Sequence, residues 1–257
     1  MGDDQTYARG VRQRTLTGAA DEQRHTVYVR SPRPLRSSSL VLRPYPRGAG
    51  RRSFATEPFT LALPNRLFYD RRMIRQAVAS DAVRAVPLIL QAIGHIAFLL
   101  TGTTDSEEAA SVLNDFFGQE DNRISYQNAL VLEEEGEVVG VAIFYDGTKA
   151  RELDAPLERA AAKKSGDSNY SIPTEPEASE FYLDALCVSP RCQRKGYGRQ
   201  LIEAGCDRAR KLGHHRIALL IEVDNAAAKP LYERLRFCTD YTKRIAGHEY
   251  FHMVRSL

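Results

Sequence analysis

No stretch of this 257-residue chain approaches the roughly 20 consecutive apolar residues that cross a bilayer, so the sequence predicts no membrane-spanning helix. Its start, Met-Gly-Asp-Asp, lacks the basic residues and the apolar centre of a secretory signal, and the chain reads as cytoplasmic. Cysteine is sparse: Cys187, Cys192, Cys206 and Cys238 form no C-x-x-C pair and fall mostly in expected strands and helix, which favours reduced core thiols over a disulfide or a metal site. Lysine is missing from residues 1–72. That segment holds 14 arginines against 6 acidic residues, a balance of +8, which leaves −5 for the rest of a chain whose net charge is +3. It also carries Pro32, Pro34, Pro44 and Pro46 and no sustained apolar period, so it cannot bury enough surface to offset its ordering entropy. Residues 1–72 are therefore expected to be a disordered basic extension and residues 73–257 the folded domain. The extension reads in three ways: a tail for anionic surfaces, an organellar transit segment, or sequence upstream of a start at Met73, the last being favoured. Asp3 and Asp4 speak against a transit segment.

The most informative stretch is Cys187-Val-Ser-Pro-Arg-Cys-Gln-Arg-Lys-Gly-Tyr-Gly-Arg-Gln-Leu201, where an apolar run stops at a proline, crosses a basic glycine loop and becomes amphipathic. It reads as strand, anion-binding loop, helix. The start of a helix leaves backbone N–H groups without internal partners at the positive end of the dipole, and Gly196 and Gly198 let a phosphate approach the main chain. Arg191, Arg194, Lys195 and Arg199 add positive charge. The spacing Gln193-x-x-Gly196-x-Gly198 is neither that of a P-loop nor that of a dinucleotide fold.

This loop resembles the [QR]-x-x-G-x-[GA] signature of the GNAT superfamily of acyl-CoA-dependent N-acetyltransferases. Two further motifs occur in the family's order: Leu186-x-Val188-x-Pro190 before the loop, and Asn225-x-x-Ala228-x-x-Leu231-Tyr232-Glu233 after it. The resemblance covers Met73 to Leu257, and Met-Ile-Arg-Gln-Ala-Val from Met73 is similar to the family's first strand. It implies an α/β fold with a mixed, mostly antiparallel central sheet flanked by helices, and acetyl-CoA as co-substrate.

Periodicity is compatible with that fold and leaves other α+β arrangements open. A strand at 73–78 precedes a helix from Asp81 toward Leu99, bent by Pro87, and a second helix over 107–117 with Ala110, Leu113, Phe116 and Phe117 inward. Residues 129–133 and 138–145 form a hairpin, and 146–179 a long polar connection with a short helix at 157–162. In the strand 180–188 the period of two puts Glu180, Tyr182, Asp184, Leu186 and Val188 on one face. The helix over 197–212 buries Leu201, Ile202, Cys206, Ala209 and Leu212 and stops at Gly213; a central strand at 217–223 and a closing pair at 239–245 and 249–255 follow.

The family resemblance implies that the main chain of Leu186, Cys187 and Val188 meets pantetheine, and that Gln193, Arg194, Lys195, Gly196, Tyr197, Gly198 and Arg199 hold the pyrophosphate. Tyr232 matches the family tyrosine that approaches the CoA sulfur, and a phenol can protonate a departing thiolate. Asn225 is expected to bond pantetheine or the strand end. The proton acceptor is Asp184, Glu180 or Glu222, with Asp184 placed first. His95, His248 and His252 are weaker candidates, and Cys187 is disfavoured as a nucleophile. The expected activity is acetyl transfer to a primary amine such as a polyamine, amino sugar, lysine or protein N-terminus. The alternative is an acyl-CoA-sensing protein whose arginine-rich tail contacts nucleic acid or another anionic surface; few aromatics interleave those arginines, which disfavours nucleic acid. A homodimer is compatible with the sequence. Two departures stand out: Arg236 occupies the place where the family motif has its helix-ending glycine, predicting a different turn or strain, and Pro230 predicts a helix that begins there.

Overall fold

Seven strands make one sheet in a computed structural model that describes residues 72–225 and 228–257, so the readings of the basic extension fall, Arg72 apart, outside the described residues. The strands are β1 (Arg72–Gln76), β2 (Ala129–Glu134), β3 (Glu137–Asp146), β4 (Phe181–Val188), β5 (Arg216–Glu222), β6 (Cys238–Ile245) and β7 (His248–Ser256). Their order across the sheet is β1-β2-β3-β4-β5-β7-β6, and only the β4–β5 pairing is parallel. The helices are α1 (Ala82–Ile93), α2 (Ile96–Thr101), α3 (Ser106–Phe117), α4 (Ala150–Ser165), α5 (Tyr197–Lys211) and α6 (Lys229–Arg234). This is the mixed, mostly antiparallel sheet flanked by helices that the sequence predicts. No helix among the described residues is long and apolar enough to cross a membrane.

Two tight turns fix the hairpins. Glu135-Gly136 and Ala246-Gly247 both take positive φ at each residue, the backbone twist that joins adjacent antiparallel strands. The sheet separates two cores. Helices α1 to α4 close one face over Val131, Val141, Ile143, Tyr182 and Ala218, while α5 closes the other over Phe144, Leu183, Leu219 and Ile221. Strand β5 feeds both, which explains its nearly unbroken apolar run.

Several expectations need correction. The helix from Asp81 runs on through Pro87 and stops at Gly94 instead of reaching Leu99: Gly94 takes φ 54 and ψ −125, a conformation closed to most side chains, and α2 begins afresh after His95. The connection 146–179 contains the 16-residue helix α4, with Pro156 inside it, rather than a short turn of helix. In α3 the fully covered positions are Ala109, Leu113 and Phe117, and Leu212 at the end of α5 is exposed. The single face expected along β4 does not exist. Ile143 pairs with Ala185 but Phe144 with Leu183, so Asp184 is an extra residue, a bulge that reverses the alternation. Tyr182 and Asp184 therefore belong to the α1–α4 side, whereas Leu186 and Val188 pack toward α5.

The same strand diverges from its parallel neighbour. Pairing of β4 with β5 covers only Phe181 to Leu183 against Ile217 to Leu219. Beyond that point the edge of β4 facing β5 has no strand partner among the described residues, and a gap opens toward the carboxyl ends of both strands.

Candidate active site

At the open end of this gap the chain makes a tight turn into α5. Arg194 has φ 63 and Gly196 φ 81, so left-handed residues alternate with ordinary ones, and the main-chain N–H groups from Arg194 to Arg199 have no acceptor among the described residues before the first helical bond, Gln200 N–H to the Gly196 carbonyl. Gly196 needs its glycine for this conformation. Gly198 does not: its φ is ordinary and an added Cβ would meet nothing nearer than Leu186 Cδ2 at 4.0 Å. Of the surrounding cations, Lys195 is held by Glu134 at 3.1 Å and Arg191 by Glu137 at 2.6 Å, but Arg194 and Arg199 make no side-chain hydrogen bond or ion pair among the described residues. Tyr197 donates to the same Glu134, and these bonds hold that carboxyl down at about 2. Glu134 thereby fixes the turn from the end of β2, a role with no local sequence signal. Gln193 Nε2 donates to the Val188 carbonyl at 3.1 Å and ties the loop to the strand it follows.

Along the gap, Leu186, Cys187 and Val188 form the carboxyl half of β4. Burial pushes the Cys187 thiol up to about 11, so it stays protonated. Asn225 lies beyond β5; its Oδ1 accepts from the Ala228 N–H at 3.3 Å and shapes the start of α6. That helix begins at Lys229, one residue ahead of Pro230, and Tyr232 lies early in it, edge-on to Phe237 at 5.8 Å. The Tyr232 hydroxyl has no hydrogen-bond partner among the described residues, and burial pushes it up to about 12. Arg236 adopts the left-handed turn in place of glycine, with φ 67, so the turn is kept and the arginine carries the strain of roughly 1 kcal/mol.

The three acidic candidates are not brought together. Asp184 is buried beside Arg123, whose Nε lies 3.1 and 3.2 Å from its two oxygens. Burial raises its pKa in spite of that guanidinium. Arg123 also meets Asp154 at 3.4 Å and Glu175, so one cation serves three carboxylates. Glu180 is fully buried at the opposite, paired end of β4, bonded to His252 Nε2 at 3.1 Å and to the Glu177 N–H at 3.0 Å. His252 is equally buried there. Glu222 ends β5 at the open end of the gap and remains partly exposed, 2.8 Å from His248 Nδ1. His95 stacks on His248, and the Tyr250 hydroxyl lies 3.1 Å from His95 Nε2. Arg123 and Tyr250 escaped the sequence reading, since a lone arginine in a polar loop and a tyrosine in a strand carry no distinguishing pattern.

A strand gap continuous with an anion-binding helix start suits a long phosphorylated thioester. Comparison with known proteins agrees. A family model described as the acetyltransferase (GNAT) family matches residues 95–237, more than half of the chain. The crystal structure of an acetyltransferase superposes with a TM-score of 0.59 at 30% identity, covering 72% of this chain and 98% of that one. An N-acetyltransferase from Staphylococcus aureus Mu50 superposes equally well, at 0.59, over 71% of this chain and all of its own, but at 20% identity it speaks for the fold alone. The mycothiol acetyltransferase of Geodermatophilus obscurus is 43% identical over 63 residues, and that stretch spans only 24% of this chain and 20% of the relative. With the splayed strands, the glycine turn and the match over residues 95–237 in agreement, this chain belongs to the acetyltransferase (GNAT) family, enzymes that use acetyl-CoA as co-substrate.

Proposed function

We propose that this enzyme moves the acetyl group of acetyl-CoA directly onto a primary amine, with the pyrophosphate at the start of α5 and the thioester in the gap between β4 and β5. The observation that carries the reading is that gap, which opens beyond Leu183 and Leu219 and leads into the turn at Arg194–Gly198. Neither conformation nor packing requires a glycine at 198, so its open surface is explained by a ligand that approaches the main chain. Arg194 and Arg199 supply the uncommitted charge, with Gln193, Lys195, Gly196 and Tyr197 shaping the turn. The main chain of Leu186, Cys187 and Val188 offers the pantetheine arm the edge that lacks a strand partner among the described residues, and Asn225 holds the turn after β5.

Tyr232 acts as the acid. A phenol pushed up to about 12 stays protonated at neutral pH and can donate to a thiolate leaving the thioester. Direct transfer is supported by the protonated state of Cys187, which offers no thiolate nucleophile. Among the acidic candidates, Asp184 is committed to Arg123 and Glu180 to His252, so the proton route from the acceptor runs by Glu222. The acidic domain and this half-exposed carboxylate suit a cationic acceptor: a polyamine, an amino sugar, lysine or a protein N-terminus.

Calorimetry with acetyl-CoA, combined with thiol release in an amine screen, tests the reading. Gly198→Val is expected to weaken acetyl-CoA binding at least ~10-fold without lowering the thermal midpoint. Tyr232→Phe should leave binding intact and lower kcat by about 100-fold. Full kcat in that variant would remove the acid from Tyr232. No heat with acetyl-CoA would sink the whole assignment.

A further inference from the structure

We propose that the acceptor amine gives up its proton to Nε2 of His248, which Glu222 holds in the reactive tautomer; the proposal rests on the acetyl-transfer reading above and names the base within it.

Three separate elements meet at the open end of the gap. Glu222 is the last residue of β5, His248 the first of β7, and His95 lies at the Gly94 break between α1 and α2. One turn before His95, Gln91 reaches 3.5 Å from Cys187 Sγ on β4, so the helical joint spans the gap from its β4 side to its β5 and β7 side. A thioester threaded through the gap from the α5 face emerges against this group of side chains.

Glu222 Oε1 lies 2.8 Å from His248 Nδ1 as a charge contact, and a carboxylate beside that nitrogen favours the hydrogen on Nδ1 and the lone pair on Nε2. That nitrogen has no partner among the described residues, and the His248 side chain is 49% exposed, within reach of an amine from solvent. A carboxylate behind an imidazole also stabilises the imidazolium that forms when the ring takes a proton.

His95 completes the arrangement. Its ring lies 4.0 Å from that of His248 at an interplanar angle of 25°, and its Nε2 faces the Tyr250 hydroxyl. Two imidazolium rings so stacked would repel. Burial, and then the proximity of His248, hold His95 below the ordinary imidazole range, so it remains neutral. The groups facing His248 are thus Glu222 from β5, His95 from the α1–α2 joint and Tyr250 from its own strand. On the β6–β7 hairpin, Arg244 and Glu249 pair with each other at 3.3 Å.

The protons balance. Two leave the acceptor nitrogen as the N–C bond forms and the C–S bond breaks. The ammonium proton passes through His248 Nε2 to solvent, and the second offsets the proton that Tyr232 gives to the thiolate. His248 is the catalytic group and Glu222 a positioning residue.

The test uses the full-length enzyme and whichever of spermidine, glucosamine, lysine or a peptide with a free N-terminus turns over fastest. His248→Ala is expected to lower kcat/KM for the amine about 100-fold at pH 7 with acetyl-CoA affinity by calorimetry unchanged, and the deficit should shrink as pH approaches the pKa of the free amine. Added imidazole should restore at least ~10-fold of the loss in His248→Ala and none in Tyr232→Phe. Glu222→Gln should lower kcat about 10-fold with the amine KM little changed, and Glu222→Asp should recover much of the loss, because a carboxylate and not an amide favours the hydrogen on Nδ1. The proposal is overturned if His248→Ala keeps its rate, if its deficit is the same at every pH and insensitive to imidazole, or if Glu222→Gln keeps its kcat. The donor atoms of His95, Glu222 and His248 lie within 4.8 Å of one another, so chelator and zinc are included. A wild-type rate that EDTA abolishes and zinc restores would also overturn it. Failure of wild-type enzyme to bind acetyl-CoA or release thiol with any amine would instead strike the acetyl-transfer reading.

Discussion

Arg123 shows how a single side chain fixes the middle of the sheet. Its guanidinium is buried and flanked by Asp154, Glu175 and Asp184, with Tyr145 and Tyr182 closing the cluster and Tyr182 donating to Glu175 at 2.7 Å. Three carboxylates around one cation leave excess negative charge in a region of low dielectric. Burial, aided by Asp184 and Glu175, raises Asp154 to about 6. Between the ordinary carboxyl pKa and this raised value the folded protein keeps a proton that the unfolded chain has lost, so stability falls as pH climbs through that window and stays lower above it. At about 1.4 kcal/mol per pKa unit, Asp154 costs on the order of 2–3 kcal/mol at pH 8 and almost nothing at pH 4. Asp154→Asn removes the titration while preserving shape. The variant should melt with the wild type at pH 4 and distinctly above it at pH 8; equal midpoints at both would show that the carboxyl titrates normally. Asp184 is committed to this cluster while Glu222 stays partly exposed at the end of β5, and the proton route is assigned to Glu222 for that reason.

The position of α5 depends on a contact of the same kind, a missing side chain. A Cβ on Gly205 would lie 2.2 Å from Phe144 Cζ and 2.3 Å from Cε1, and the Phe144 ring is fully buried and stacked on Phe181 at 5.9 Å. Alanine at 205 would favour the helix by about 1 kcal/mol, yet forcing the ring aside should cost more, for a net loss of about 1–3 kcal/mol. Gly205→Ala combined with Phe144→Leu should recover most of it, as expected for neighbours that share one space. A stabilised Gly205→Ala protein in denaturant titration would show that the ring moves freely. Much of this packing was legible in the sequence, because α5 repeats its apolar residues at Leu201, Ile202, Cys206 and Ala209 and the glycine turn announces its start. What escaped has local causes. The buried stripe of α4 includes Asp154 between Leu153 and Leu157, so a charge interrupts the apolar period, and Pro156 adds a misleading stop. A bulge inserts one residue without altering composition, and alternation along β4 therefore pointed Asp184 to the wrong neighbours. The pairing of His95 with His248 joins residues far apart in the chain, which no local pattern encodes.

The chain divides its charge as it divides its length. Residues 1–72 carry +8 and the remainder −5, so an arginine-rich segment is joined to an acidic catalytic domain. The proposed chemistry needs only the second. The groups assigned to bind acetyl-CoA or to move a proton lie between Leu186 and His248, their supports Gln91, His95 and Glu134 lie within residues 72–257, and the matched family region begins at residue 95. A protein starting at Ala62 keeps all of β1, including Arg72, whose guanidinium lies 5.7 Å over the Tyr197 ring beside the turn. Its thermal midpoint and its kcat/KM for acetyl-CoA should match those of the full chain, while its retention on an anionic column should fall with the loss of the arginines, a salt-dependent attraction that such a segment supplies without any fold. If deletion abolished thiol release, the arginine-rich segment would belong to the catalytic unit. If instead neither form released thiol, and the full chain alone bound polyanion in a manner sensitive to acetyl-CoA, the domain would be a sensor for its extension, because binding energy from a +8 segment can then be the output that ligand occupancy of the gap controls.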